Sequence, residues 1–174
     1  MTGDLHQLIR QWGRERPDVD LTAFVIVAAI KLLDQRFEAE SRRLSAAFEI
    51  GPGDLRVLFA LRRSGVDKPQ RPTDLFQSLL VSSGAVTKQV DRLEEKALVE
   101  RLPDPEYQRG FRVRLTPLGA ATADAAIEAV CSSQTAIGAA IASLTDAERE
   151  VGKTFLKNLL EKVGAPSEAA SEDA

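Results

Sequence analysis

The chain has 174 residues, is 44% hydrophobic and 28% charged, and carries a net charge of −3 at pH 7. That is enough for one domain with a real core, and the shortage of aromatics beside plentiful helix formers favours a mostly α fold. A single cysteine, Cys131, excludes an intramolecular disulfide and a Cys-rich zinc site, and the longest apolar run, Ala23 to Ile30, is far short of the roughly 20 residues a membrane helix needs.

Taken in order, Leu5, Leu8, Ile9 and Trp12 recur at helical spacing in a short amphipathic segment that Pro17 and Asp18 end. Asp20 is placed to cap a second helix reaching about Phe48, with a stripe of Ile30, Leu33, Phe37, Leu44 and Phe48. Its first turns are apolar nearly all round, so it should be buried on more than one side, by a second chain if not by its own. Gly51-Pro52-Gly53 reads as a turn. Leu55, Leu58, Phe59 and Leu61 mark a third helix closed by Ser64-Gly65, and Thr73 to Leu80 a short fourth with Pro72 at its first turn.

The stretch Ser82 to Arg101 organises the rest. Ser82 and Ser83 suit a helix start, and Val86, Val90, Leu93 and Ala97 form one apolar face. Thr87, Lys88, Asp91 and Arg92 lie opposite, with Lys88 and Arg92 four residues apart on one side. A short helix, a tight turn and a longer helix with a polar, basic face is the helix-turn-helix pattern, whose second helix enters a major groove. The period then changes to two. Leu98, Glu100 and Leu102 alternate with Val99 and Arg101; after the turn PDPEYQRG, Phe111, Val113 and Leu115 alternate with Arg112 and Arg114. This is a β-hairpin. Joined to a recognition helix it makes a wing, and Arg109 and Arg112 are placed for phosphates or a minor groove. From Gly53 to Thr116 there are 12 Lys and Arg against 9 Asp and Glu, so a basic middle lies between acidic ends.

Thr116-Pro117 opens an Ala-rich helix running to about Ser143, where Cys131 reads as a buried structural thiol. Thr145 and Glu148 spell a capping box for a last helix whose stripe is Val151, Phe155, Leu159 and Val163. The expected organisation is an N-terminal extension and dimerisation helix (1–50), a winged helix-turn-helix (51–116), C-terminal dimerisation helices (117–163) and a small, acidic, disordered tail (164–174). The fold class is therefore mostly α (α+β).

Helix, helix-turn-helix, wing and two C-terminal helices resemble the MarR family of bacterial transcription regulators over about residues 20–163. SSGAVTKQVDRLEEKALVER and PDPEYQRGFRVRLTPLG carry the resemblance. It implies a cytoplasmic homodimer straddling a palindromic double-stranded operator, acting as a repressor released by a small anionic or aromatic effector. The DNA-binding residues it implies are Ser82, Ser83, Thr87, Lys88, Gln89, Arg92, Arg109 and Arg112. At the wing tip the family's Asp-x-Arg reads Tyr107-Gln108-Arg109. The arginine is kept, but the acid that steadies it is replaced by a tyrosine. The extension with Trp12 is similar to a urate-responsive subgroup, which implies an effector site at Trp12, Arg56, Gln89 and Arg101. Arg56 stands there in place of an acid and Gln89 in place of an arginine, so two arginines without a matched acid imply a net positive pocket.

An enzyme is not expected. His6 is the only histidine, and no P-loop, GxGxxG or GxSxG occurs. No catalytic residue, metal, cofactor or membrane partner is expected. The rival reading is a winged helix that contacts protein instead of DNA. Asp91, Glu94, Glu95 and Tyr107 favour it; Lys88, Arg92, Arg109 and Arg112 oppose it.

Overall fold

A computed structural model describes residues 5–79, 83–107 and 110–164. Among these, the helices are α1 (Leu5–Glu15), α2 (Thr22–Ala47), α3 (Pro52–Ser64), α4 (Pro72–Leu79), α5 (Ser83–Glu95), α6 (Pro117–Cys131), α7 (Ala136–Ala142) and α8 (Asp146–Gly164). Strands β1 (Val99–Pro103) and β2 (Phe111–Leu115) form the one described sheet, an antiparallel pair with Val99 opposite Leu115 and Arg101 opposite Val113. The molecule is mostly helical with a small hairpin, the expected class.

The core is built around α3. Leu55, Val57, Leu58 and Leu61 are almost fully buried and meet Leu75 of α4, Val86, Val90 and Leu93 of α5, Val113 and Leu115 of β2, and Ala123 and Ala126 of α6. Burying each such Val or Leu is worth about 1.5–3 kcal/mol, so this cluster fixes the pose of α5 and the hairpin. Gln70 adds an isolated bridge to Val113, tying the loop before α4 to the hairpin. At the other end Gly119 lets α6 approach the chain closely: a Cβ there would lie 1.8 Å from the Leu98 carbonyl oxygen.

Several local expectations hold. Asp20 accepts from the Thr22 N–H at 2.9 Å, although the N-cap position of α2 is Leu21, so it meets the first helical N–H from one residue outside the cap. Thr145 and Glu148 complete their box, with the Thr145 N–H donating to Glu148 at 2.8 Å and the Glu148 N–H to Thr145 Oγ1 at 3.3 Å.

Others are corrected. Pro52 and Gly53 are not turn residues but the first turn of α3, because Pro is pre-set for that position and Asp54 reaches back to the Gly51 N–H at 3.0 Å. Ala97 is not on the face of α5. It lies beyond the helix with φ +54°, while the N–H of Leu98 donates to the Leu93 carbonyl, the pattern of a left-handed helix stop. The single helix expected from 116 to 143 is two, α6 and α7, bent by 58°. Ser132 is extended, its hydroxyl accepts from the Gln134 N–H, and Thr135 caps α7 by accepting from the Gly138 N–H. These side chains offer the backbone a local alternative to helix, and Glu40 of α2 secures it by accepting from the Ala136 N–H at 2.6 Å. Cys131, at the end of α6, is exposed and not buried. No single described helix is long and apolar enough to cross a membrane; α6 and α7 reach that measure only as a bent pair.

The ends of the chain cover little of themselves. Among the described residues α1, α7 and α8 have no buried residue. Val27, Leu33 and Phe37 of α2 and Val151, Leu160 and Val163 of α8 stay exposed.

Candidate nucleic-acid interface

Helix α5 packs through Val86, Val90 and Leu93, each fully buried. Its two flanks are held by ion pairs of opposite polarity. On one side Arg101 of β1 donates to Asp91 and to Glu94, its guanidinium lying 4.7 Å from the Phe111 ring centroid. On the other, Asp54 of α3 receives Arg92 in a two-pronged contact, through Nε at 3.1 Å and Nη2. The Asp54 side chain is 3% exposed and also caps α3. Gln89 is turned inward, so that a Cβ on Gly53 would sit 2.2 Å from its Nε2, and its Oε1 is buried without a partner.

What remains outward on α5 is Thr87, Lys88 and Glu95, all exposed. Among the described residues Lys88 has no ion-pair partner. The two basic residues expected to act together are thereby separated: Lys88 is available, and Arg92 is committed to Asp54. Ser82 and Arg109 lie outside the described residues, as does the side chain of Ser83.

The hairpin turn is organised by Asp104. Its side chain is 2% exposed; it accepts from the Glu106 N–H at 2.9 Å, from Arg71 Nε at 2.6 Å, and pairs with Arg112 at 3.3 Å. Glu106, exposed, accepts from both arginines, at 2.5 Å from Arg71 and 2.8 Å from Arg112. The hydrogen bond from Arg71 is the first cause that holds the carboxyls of Asp104 and Glu106 below their usual range. The same bond to Asp104 raises Arg71 above its ordinary value. The Arg71 guanidinium lies 4.6 Å from the Tyr107 ring centroid. Arg112 is thus an internal member of the wing, joined through shared acids to the loop before α4. Arg114 pairs with Glu100, its cross-strand partner, at 2.7 Å.

Sequence reasoning missed Asp54, Arg71 and Asp104. Asp54 had a local signal, an acid three residues after the helix cap. Arg71 and Asp104 are 33 residues apart, and nothing periodic joins them.

The four residues expected at an effector site have separate neighbours. Trp12 meets Phe24 edge-to-face at 5.7 Å, where α1 lies on α2. Arg56 donates to Glu38 at 2.8 Å, Gln89 faces Gly53, and Arg101 is held by its two acids. The expected net positive pocket therefore fails, since each arginine already has a carboxylate. A small cleft of about 70 Å³ does open between α2, α3, α6 and α7. Phe37, Leu44, Leu55, Phe59 and Ile137 line it together with the charged Arg56 and Glu40. Trp12, Gln89 and Arg101 are not part of it.

A recognition-type helix clamped between α3 and a two-stranded hairpin defines a winged helix-turn-helix protein. Residues 51–111 match the MarR family. The HTH-type transcriptional regulator PecS of Dickeya dadantii is 22% identical over 125 residues, 72% of this chain and 75% of that protein. The multiple antibiotic resistance protein MarR of Salmonella typhimurium is 35% identical over 92 residues, 53% of this chain and 62% of that protein. A mutant MarR from E. coli crystallised with operator DNA aligns at a TM-score of 0.65 and 28% identity, covering 82% of this chain and 99% of that one. Residues 51–111 therefore form a MarR family domain, and the chain around it is similar to transcriptional regulators named for that family.

Proposed function

We propose that this protein is a dimeric repressor that binds a palindromic operator and is released by a small ligand. The observation that carries the DNA reading is α5 itself: fully buried on one face, clamped on both flanks, and presenting Thr87 and Lys88 outward beside an arginine-bearing hairpin. The structural likeness to a MarR that was crystallised with operator DNA supports the same reading. A pre-positioned helix loses little entropy on entering a groove, which favours a specific site over loose phosphate binding. Dimerisation is supported by the exposed apolar residues of α1, α2 and α8, which one chain leaves uncovered. Two-fold symmetry then requires half-sites about one helical turn apart.

The test is a gel shift with DNA flanking the protein's own gene, repeated with an unrelated duplex. Lys88→Ala should cost about 1–3 kcal/mol on the specific site only. Arg109→Ala should weaken both duplexes and flatten the salt slope by about one unit. If wild type binds neither duplex at any salt concentration, the DNA reading fails and a protein-binding winged helix replaces it.

For the effector, the cleft between α2, α3, α6 and α7 supports an aromatic or otherwise apolar body, since its lining is mostly apolar and its two charged residues, Arg56 and Glu40, balance; an anionic group on the ligand would have to take the place of Glu38 at Arg56. Aromatic carboxylates should dissociate the operator complex, and Arg56→Ala should blunt the release. If Trp12→Phe blunts it instead, the ligand lies against α1.

A further inference from the structure

The wing holds two guanidiniums between two carboxylates of unequal standing. Asp104 is fixed: its side chain is 2% exposed, and it is bonded to Arg71, to Arg112 and to a backbone N–H. Glu106 is not fixed in that way. Its side chain is 64% exposed and touches the same two arginines, one through each carboxylate oxygen. Arg71 and Arg112 are only about a quarter exposed, Arg71 is backed by the Tyr107 ring, and Arg112 Nε is buried without an acceptor. The cations are therefore anchored from behind, while the anion in front is free to leave.

We propose that Arg71 and Arg112 form a backbone-phosphate site of the operator, which the Glu106 carboxylate occupies in the DNA-free protein. The inference rests on the DNA-binding reading above. A carboxylate with one oxygen on each guanidinium stands where the two non-bridging oxygens of a phosphodiester would lie, and planar arginine forks suit both groups. The charges match: with Glu106 in place the four groups sum to zero, and with Glu106 swung out the remaining three carry one positive charge for one phosphate. The exchange costs little, because an exposed ion pair contributes little in water. The buried Asp104 keeps the two arginines in register while the exchange occurs.

The experiment measures anisotropy of two labelled duplexes, the upstream DNA and an unrelated sequence of equal length, with the full-length protein. Glu106→Gln should tighten both by a similar factor, about two- to five-fold, because phosphate contacts carry no sequence. The same substitution made in an Arg112→Gln background should gain less than about 1.5-fold, since the released site is gone. Thermal melts establish which variants fold, and Arg71→Gln carries the cycle if Arg112→Gln does not. Unchanged or weakened binding by Glu106→Gln overturns the proposal, as does a gain that persists without the arginine, which would be general charge removal. Wild-type protein that binds neither duplex sinks the DNA reading instead, a separate and visible failure.

Discussion

Replacing Asp54 by alanine should damage both the stability of α3 and the pose of α5. The carboxylate is buried, takes a hydrogen bond from the Gly51 N–H at 3.0 Å, and holds Arg92 by two donors. Losing a cap costs about 1 kcal/mol. A hydrogen bond to a charged group is worth about 1.5–3 kcal/mol, and the low end applies because the Arg92 side chain is 50% exposed and regains water when released. The sum is about 2–3 kcal/mol, which for a chain of this size lowers Tm by about 4–12 °C. Calorimetry at fixed protein concentration reads it, since melting of any self-associating chain depends on concentration. The decisive arm is the double-mutant cycle. Arg92→Ala should destabilise the wild type and cost almost nothing further in Asp54→Ala, because its partner is already absent. Equal losses in both backgrounds would refute the clamp and return Arg92 to the pool of free base-reading residues.

Three further outcomes follow from the same geometry. Asp104 and Glu106 have depressed pKa values in the folded protein, so the stability they add is complete above their unfolded values of about 4 and is lost as pH falls below them; a melting profile from pH 6 downward should show this loss, and Asp104→Asn should remove much of it. Ala97→Gly should raise stability by about 1 kcal/mol, since φ +54° strains a side chain that glycine lacks; a lower Tm would contradict the helix-stop geometry. The proposed dimer predicts that wild type scatters light as two chains and that Leu160→Asp, at a residue 73% exposed in the single chain, scatters as one without loss of helix; a one-chain wild type would refute the dimer, and an unchanged variant would refute α8 as its contact.

The sequence by itself determined the elements whose signals are periodic or local. The spacing of Val86, Val90 and Leu93 marks α5 because a helix repeats its face every three or four residues. The alternation from Val99 to Leu115 marks the hairpin because a strand repeats every two. Thr145 and Glu148 are legible as a cap because both halves of that bond lie within one turn. The tertiary structure alone decided which charges are available. Lys88 and Arg92 look equivalent on the helix, yet only Arg92 meets Asp54, 38 residues away. Arg56, Arg101 and Arg112 read as unpaired cations in the sequence, and the fold brings Glu38, Asp91, Glu94 and Asp104 against them. The break between α6 and α7 had a local signal in Ser132 and Thr135, but it also depends on Glu40, 96 residues away. The physical reason is common to these cases. Side-chain periodicity is a property of one element's own backbone, whereas an ion pair depends on distance in space, which the chain acquires only when its elements pack.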